Sequence, residues 1–128
     1  LVPYNATYWD TDSVFTPVSG GGEDQDAKFT VPSGKAGKYF VKWGIKMGGI
    51  DDTEYVLMRL FKNGNEWIGG TVRDYATTTD QNIEFGGTEI LDLAVGDDLQ
   101  LKLNQNSAAF HLHEVPSATF SGFRLAGV

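Results

Sequence analysis

Cysteine is absent from this sequence, which excludes thiolate zinc sites, a catalytic cysteine and any disulfide framework. The absence says little about compartment, because a domain with a sufficient core can be secreted without disulfides. No apolar run approaches the ~20 residues of a bilayer-spanning helix, so membrane insertion is not expected. Basic residues are scarce: 10 Lys+Arg stand against 17 Asp+Glu, a formal charge of -7, with no basic cluster or stripe to offset it. Such a chain repels phosphate backbones, and nucleic acid is not an expected partner. No segment carries a sustained helical period, heptads or collagen-type triplets. Leu1 is neither an initiator Met nor the start of a signal-peptide pattern, so the chain reads as trimmed from something longer.

What is present is a globular composition and a great deal of glycine. At 128 residues the chain has room for one domain, 1–128, large enough to bury a core without metals or disulfides. Its 16 glycines, many beside Asn or Asp, cut it into short segments in which apolar and polar residues alternate, the pattern of strands between turns. Tyr39, Val41, Trp43, Ile45 and Met47 form one stripe, with Lys42, Gly44 and Lys46 between them. Leu99, Leu101 and Leu103 form another, after the turn Gly96-Asp97-Asp98. Leu91, Leu93 and Val95 precede that turn, so the two runs read as strands joined by a tight reversal. Asn63-Gly64 suits the positive φ of a hairpin turn between strands at Tyr55–Lys62 and Glu66–Tyr75. Ala118–Ala126 reads as the last strand. Gly20 to Asp26 and Thr77 to Gln81 read as surface loops.

Tyr55–Lys62 differs from the other strands in being apolar on both faces. Val56, Met58 and Leu60 line one side and Tyr55, Leu57 and Phe61 the other. The second side is expected to meet either a covering loop or another subunit; the subunit is the favoured reading, with Tyr55, Leu57, Phe61 and Phe120 as the contact residues.

The order of motifs resembles the C1q-like globular head family, whose jelly roll is shared with the tumour necrosis factor ligands. Phe29-Thr30-Val31-Pro32 followed by Gly37-Lys38-Tyr39-Phe40, Leu60-Phe61-Lys62-Asn63-Gly64, Leu91 to Leu101 around Gly96-Asp97, and Thr119-Phe120-Ser121-Gly122-Phe123 with Leu125 carry the likeness. They run in the family's order over about three quarters of the chain. Ser33-Gly34-Lys35-Ala36 is longer than the family's usual linker. Tyr8-Trp9-Asp10-Thr11-Asp12 is similar to a stretch in members found in bacteriophage structural proteins. The resemblance implies an all-β, ten-strand antiparallel jelly-roll sandwich assembling as a homotrimer. It further implies a non-enzymatic binding or trimerisation module in a virion or extracellular setting, with a protein or glycan surface as partner. A virion appendage or decoration domain is the first expectation, and a secreted lectin-like module of cellular origin is the alternative.

Several residue sets are candidates for chemistry. His111 and His113, at i and i+2, would share one face of a strand as half of a metal site, although a polar face between Phe110 and Leu112 explains them as well. Acidic groups at Glu23, Asp24 and Asp26, at Asp51, Asp52 and Glu54, and at Asp97 and Asp98 suit calcium by ligand type. None follows a defined calcium loop, and solvated turns account for them. No cofactor is therefore expected beyond a possible calcium. Glu66, Glu84 and Glu89 would serve a glycosidase only if they faced one groove. A triad of Ser121, His113 and an Asp can be written, as it can for most chains of this length. Asn5-Ala6-Thr7 matches a glycosylation acceptor. Trp67 and Tyr75 are the aromatics least expected to be buried. With Asp51 and Asp52 they are the candidate ligand contacts.

Overall fold

A computed structural model describes residues 14–16, 28–106, 111–112 and 118–127. The segment similar to phage proteins, the Asn5 acceptor, the Gly20 to Asp26 loop and His113 lie outside the described residues. The described chain is all-β, with nine strands: β1 (Phe15–Thr16), β2 (Lys28–Thr30), β3 (Gly37–Ile50), β4 (Tyr55–Lys62), β5 (Asn65–Tyr75), β6 (Gln81–Leu93), β7 (Asp98–Gln105), β8 (His111–Leu112) and β9 (Ala118–Gly127). All pairings are antiparallel. Sheet I has the order β1-β2-β7-β4-β5. Sheet II has the order β6-β3-β8, with β9 paired to β3 over Gly37–Ile45 and β8 continuing along the same edge.

Alternation explains which faces meet. Tyr39, Val41, Trp43, Ile45 and Met47 from sheet II and Val56, Met58, Leu60, Leu99 and Leu101 from sheet I are buried in one cluster, the interior of a two-sheet sandwich. The β4–β5 hairpin stays within sheet I. Asn63 and Gly64 both have positive φ, 51° and 76°, and Lys62 pairs with Asn65, the two-residue geometry that Asn-Gly favours. The chain changes sheet at five steps: β2 to β3, β3 to β4, β5 to β6, β6 to β7 and β7 to β8.

One of these crossings corrects the sequence reading. The tight turn after Leu93 is present, but the strands it joins belong to different sheets and do not pair. Leu93 is the last strand residue of β6, and Val95, read as part of the strand run before the turn, lies past the strand end and is 52% exposed. Two apolar stripes on either side of a short turn are satisfied equally by hairpin partners or by facing layers, because both bury the stripes together.

The turns between strands lie at two poles. Gly37 opposite Gly127, the Asn63-Gly64 hairpin and the Ala94–Asp97 turn share one. The β3–β4 and β5–β6 turns share the other, tied by the Asp80 amide donating to Asp51 Oδ1 at 3.0 Å.

Candidate functional site

Tyr55 opens β4 on the outer face of sheet I, because Val56, Met58 and Leu60 take the inner one. Antiparallel register then sets its neighbours. On β5, Tyr75 stands opposite Tyr55, Arg73 opposite Leu57 and Thr71 opposite Arg59; on β7, Asn104 and Lys102 stand opposite Leu57 and Arg59. The result is a grid three strands wide, about 10 Å across at ~4.8 Å between strands. Arg73 reaches diagonally over it, its guanidinium carbon 4.9 Å from the centre of the Tyr55 ring and 6.0 Å from that of Tyr75. Arg73 Nη1 donates to the Tyr75 hydroxyl at 3.1 Å, the main reason its pKa is raised. The two tyrosine rings are 5.9 Å apart and tilted by 59°. Asn106 completes the row, its Oδ1 accepting from the Tyr55 amide at 2.6 Å.

Further along the same face, Lys102 Nζ lies 4.1 Å from the centre of the Phe61 ring. Lys38, Lys46, Arg59 and Lys62 are paired with Asp92, Glu84, Glu66 and Asp97. Arg73 and Lys102 have aromatic rings instead, and among the described residues neither has a carboxylate partner. Tyr75 is 50% exposed, as its position before the polar loop implied. Leu57, expected at a subunit contact, is only 3% exposed within the single chain. It is flanked by Tyr55, Arg59, Arg73 and Asn104, so its burial needs no second subunit. Tyr55 and Phe61 are half-buried.

The apolar surface that remains exposed is on sheet II. Phe40 stands between Ile90 of β6 and Phe123 of β9, in register across three strands. Ile90 and Phe123 are 57% and 59% exposed, and the Phe40 and Phe123 rings are 5.4 Å apart. Leu125, also exposed, is the extra residue where the β3–β9 register shifts. Beneath the row lie the small or polar sets Thr88-Lys42-Ser121 and Gly86-Gly44-Thr119. Phe120, the fourth expected contact residue, turns inward beside Trp43 and meets Phe29 edge-on at 6.2 Å. The signal for this surface was a break in the alternation. Phe40 falls between Lys38 and Lys42 on the face that is otherwise wet.

Of the described acidic candidates, Asp51 and Glu54 are engaged in turns. Asp51 accepts from Asp80, and Glu54 Oε2 accepts from the Asp51 amide at 2.8 Å. Asp52 is exposed beside them. No group of three or more metal-ligating side chains converges among the described residues. His111 is described only in its backbone, which pairs with Gly48. The three glutamates weighed for catalysis lie on three different surfaces. Glu66 pairs with Arg59 on the outer face of sheet I, and Glu84 with Lys46 on the outer face of sheet II. Glu89 accepts from Trp67 Nε1 at 3.3 Å, where the edge strands β5 and β6 approach each other. Trp67 is 39% exposed at that edge.

At the hairpin pole the sequence landmarks meet one another. Asp97 accepts from Asn63 Nδ2 at 2.7 Å, the Ala94 amide at 2.9 Å and Lys62 Nζ at 2.9 Å. In that order these bonds hold its carboxyl down at about 2. Asn63 Oδ1 accepts from the Asp98 amide, and the Val31 amide donates to the Asp97 carbonyl. Lys62-Asn63, Gly96-Asp97 and Val31 therefore form one clasp between the sheets. No family model matches the chain, and no curated protein matches it.

Proposed function

We propose that this chain is a non-enzymatic binding module of the C1q-like, tumour necrosis factor-like jelly-roll type, working as a homotrimer on a virion appendage or decoration protein. The strand order of the two sheets, with the chain crossing between them at five connections, supports the jelly-roll reading. The clasp supports the family likeness, because it gives three of the four ordered motifs a common physical purpose. The dispersal of Glu66, Glu84 and Glu89 over three surfaces favours binding over glycoside hydrolysis.

The observation that carries the assembly is the row Ile90-Phe40-Phe123. Two large apolar side chains more than half exposed in one row are costly to leave in water, and the small residues beneath allow another surface to approach closely. A threefold contact is heterologous, so the row of each copy faces a different patch on the next. Light scattering should give three times the 14.0 kDa chain mass at micromolar concentration. Phe123→Asp should return the single-chain mass without unfolding it, since Phe123 lies outside the core. Wild-type protein of single-chain mass at ~100 µM would overturn the trimer.

A secreted carbohydrate- or protein-binding module of cellular origin is the second reading, favoured by the aromatic and arginine grid of sheet I. A fibrous or coiled-coil stalk encoded upstream supports the first reading, and a secretory signal peptide supports the second.

A further inference from the structure

We propose that the outer face of sheet I, where Tyr55, Tyr75 and Arg73 meet Asn104 and Asn106, is a binding site for a carboxylate-bearing saccharide of the uronic acid class. This deepens the reading of the chain as a binding module and rests on it. The site is built within one chain.

Charge is the first argument. The protein as a whole carries -7, and apart from Lys102, which lies over the Phe61 ring, its other cations on this face and around the clasp are matched to carboxylates, as Arg59 is to Glu66 and Lys62 to Asp97. Arg73 is not. It is exposed, it lies against tyrosine rings, and a carboxylate supplied from outside would complete it. Preorganisation is the second. Stacking on Tyr55 and the bond to the Tyr75 hydroxyl occupy one nitrogen of the guanidinium and hold the plane, leaving further donors for a two-point contact. The third is the company it keeps. Tyr75 presents half of its surface for stacking against the C–H face of a pyranose ring, and Asn104 and Asn106 offer exposed amides to hydroxyls. A width of about 10 Å over three strands suits one or two sugar rings. An acidic peptide would use the charge but gain little from an exposed ring flanked by amides.

The test is calorimetric titration of the full chain at about 50 mM salt with uronic acid tetramers of three kinds, galacturonate, glucuronate and mannuronate. Each is paired with its methyl ester, and tetraglutamate is the peptide comparison. At least one uronate should bind, with its ester and the peptide at least about tenfold weaker. Arg73→Lys keeps the charge but loses the fork and should weaken binding about tenfold; Tyr75→Ala should do the same. Lys42→Ala, an exposed cation on the other sheet, should leave affinity unchanged. Both Arg73 and Tyr75 are exposed, so unchanged melting temperatures serve as the folding control. Equal binding of ester and acid, tetraglutamate binding as tightly, an equal loss in Lys42→Ala, or no binding of any uronate would overturn the proposal. Per-chain affinity read on Phe123→Asp separates this outcome from that of the trimer: a dispersed chain that still binds leaves the site standing alone.

Discussion

The two carboxylate oxygens of Asp97 accept from three donors in two segments: Lys62 and Asn63 at the β4–β5 hairpin and Ala94 in its own turn. Each donor favours the ionised form, which is why its pKa sits near 2, below the ordinary 3.8. Because the folded value is depressed, the stabilisation is fully present above about pH 4 and is lost as pH falls through about 2. The shift corresponds to a stabilisation on the order of 1–2 kcal/mol, less at this rim position within reach of water. Urea unfolding of wild type and Asp97→Asn should differ by about that amount at pH 6. The difference should shrink steadily between pH 4 and pH 2, and a pH-independent difference would mean that geometry and not charge is at work. This residue also shows what a motif can conceal. Gly-Asp after paired leucines was legible as a turn, but its partners Lys62 and Asn63 lie more than thirty positions away. Local pattern carries no information about a bond of that range.

At the scale of elements, the sequence was informative wherever one face of a strand is wet. The stripe in β3 and the leucines of β7 were read correctly because alternation has only one burial solution there. It was ambiguous where layers compete with hairpins, as at β6 and β7. It was silent on the grid of sheet I, although Arg73 and Tyr75, two apart on a strand, had to share a face. Register brings them to Tyr55, and register is a property of the pair. The β3–β6 ladder gives an element-scale test. A Cβ on Gly86 would stand 2.1 Å from the Trp43 carbonyl oxygen and 2.9 Å from the Gly44 Cα, so backbone would have to move. Gly86→Ala should therefore destabilise by about 2 kcal/mol and lower the melting temperature by about 8 °C. Thr88→Ala, two residues along the same exposed face, should change it by less than about 2 °C.

For the whole molecule, net charge and apolar surface oppose each other. Bringing three chains of -7 together concentrates like charge, while the Ile90-Phe40-Phe123 row favours contact without ion pairs of its own. Lys38, next to the row, is already paired with Asp92 in its own chain at 2.8 Å. Added salt therefore screens the repulsion and leaves the apolar contact intact or slightly strengthened. Dilution series by light scattering or sedimentation should show the proposed trimer persisting to lower concentration at ~300 mM than at ~10 mM sodium chloride. The same shift should appear on lowering the pH from 7 toward the sequence pI of about 4.6, where the net charge falls away. An assembly held by ion pairs would behave oppositely, dissociating as salt rises, and that result would move the interface away from the outer face of sheet II.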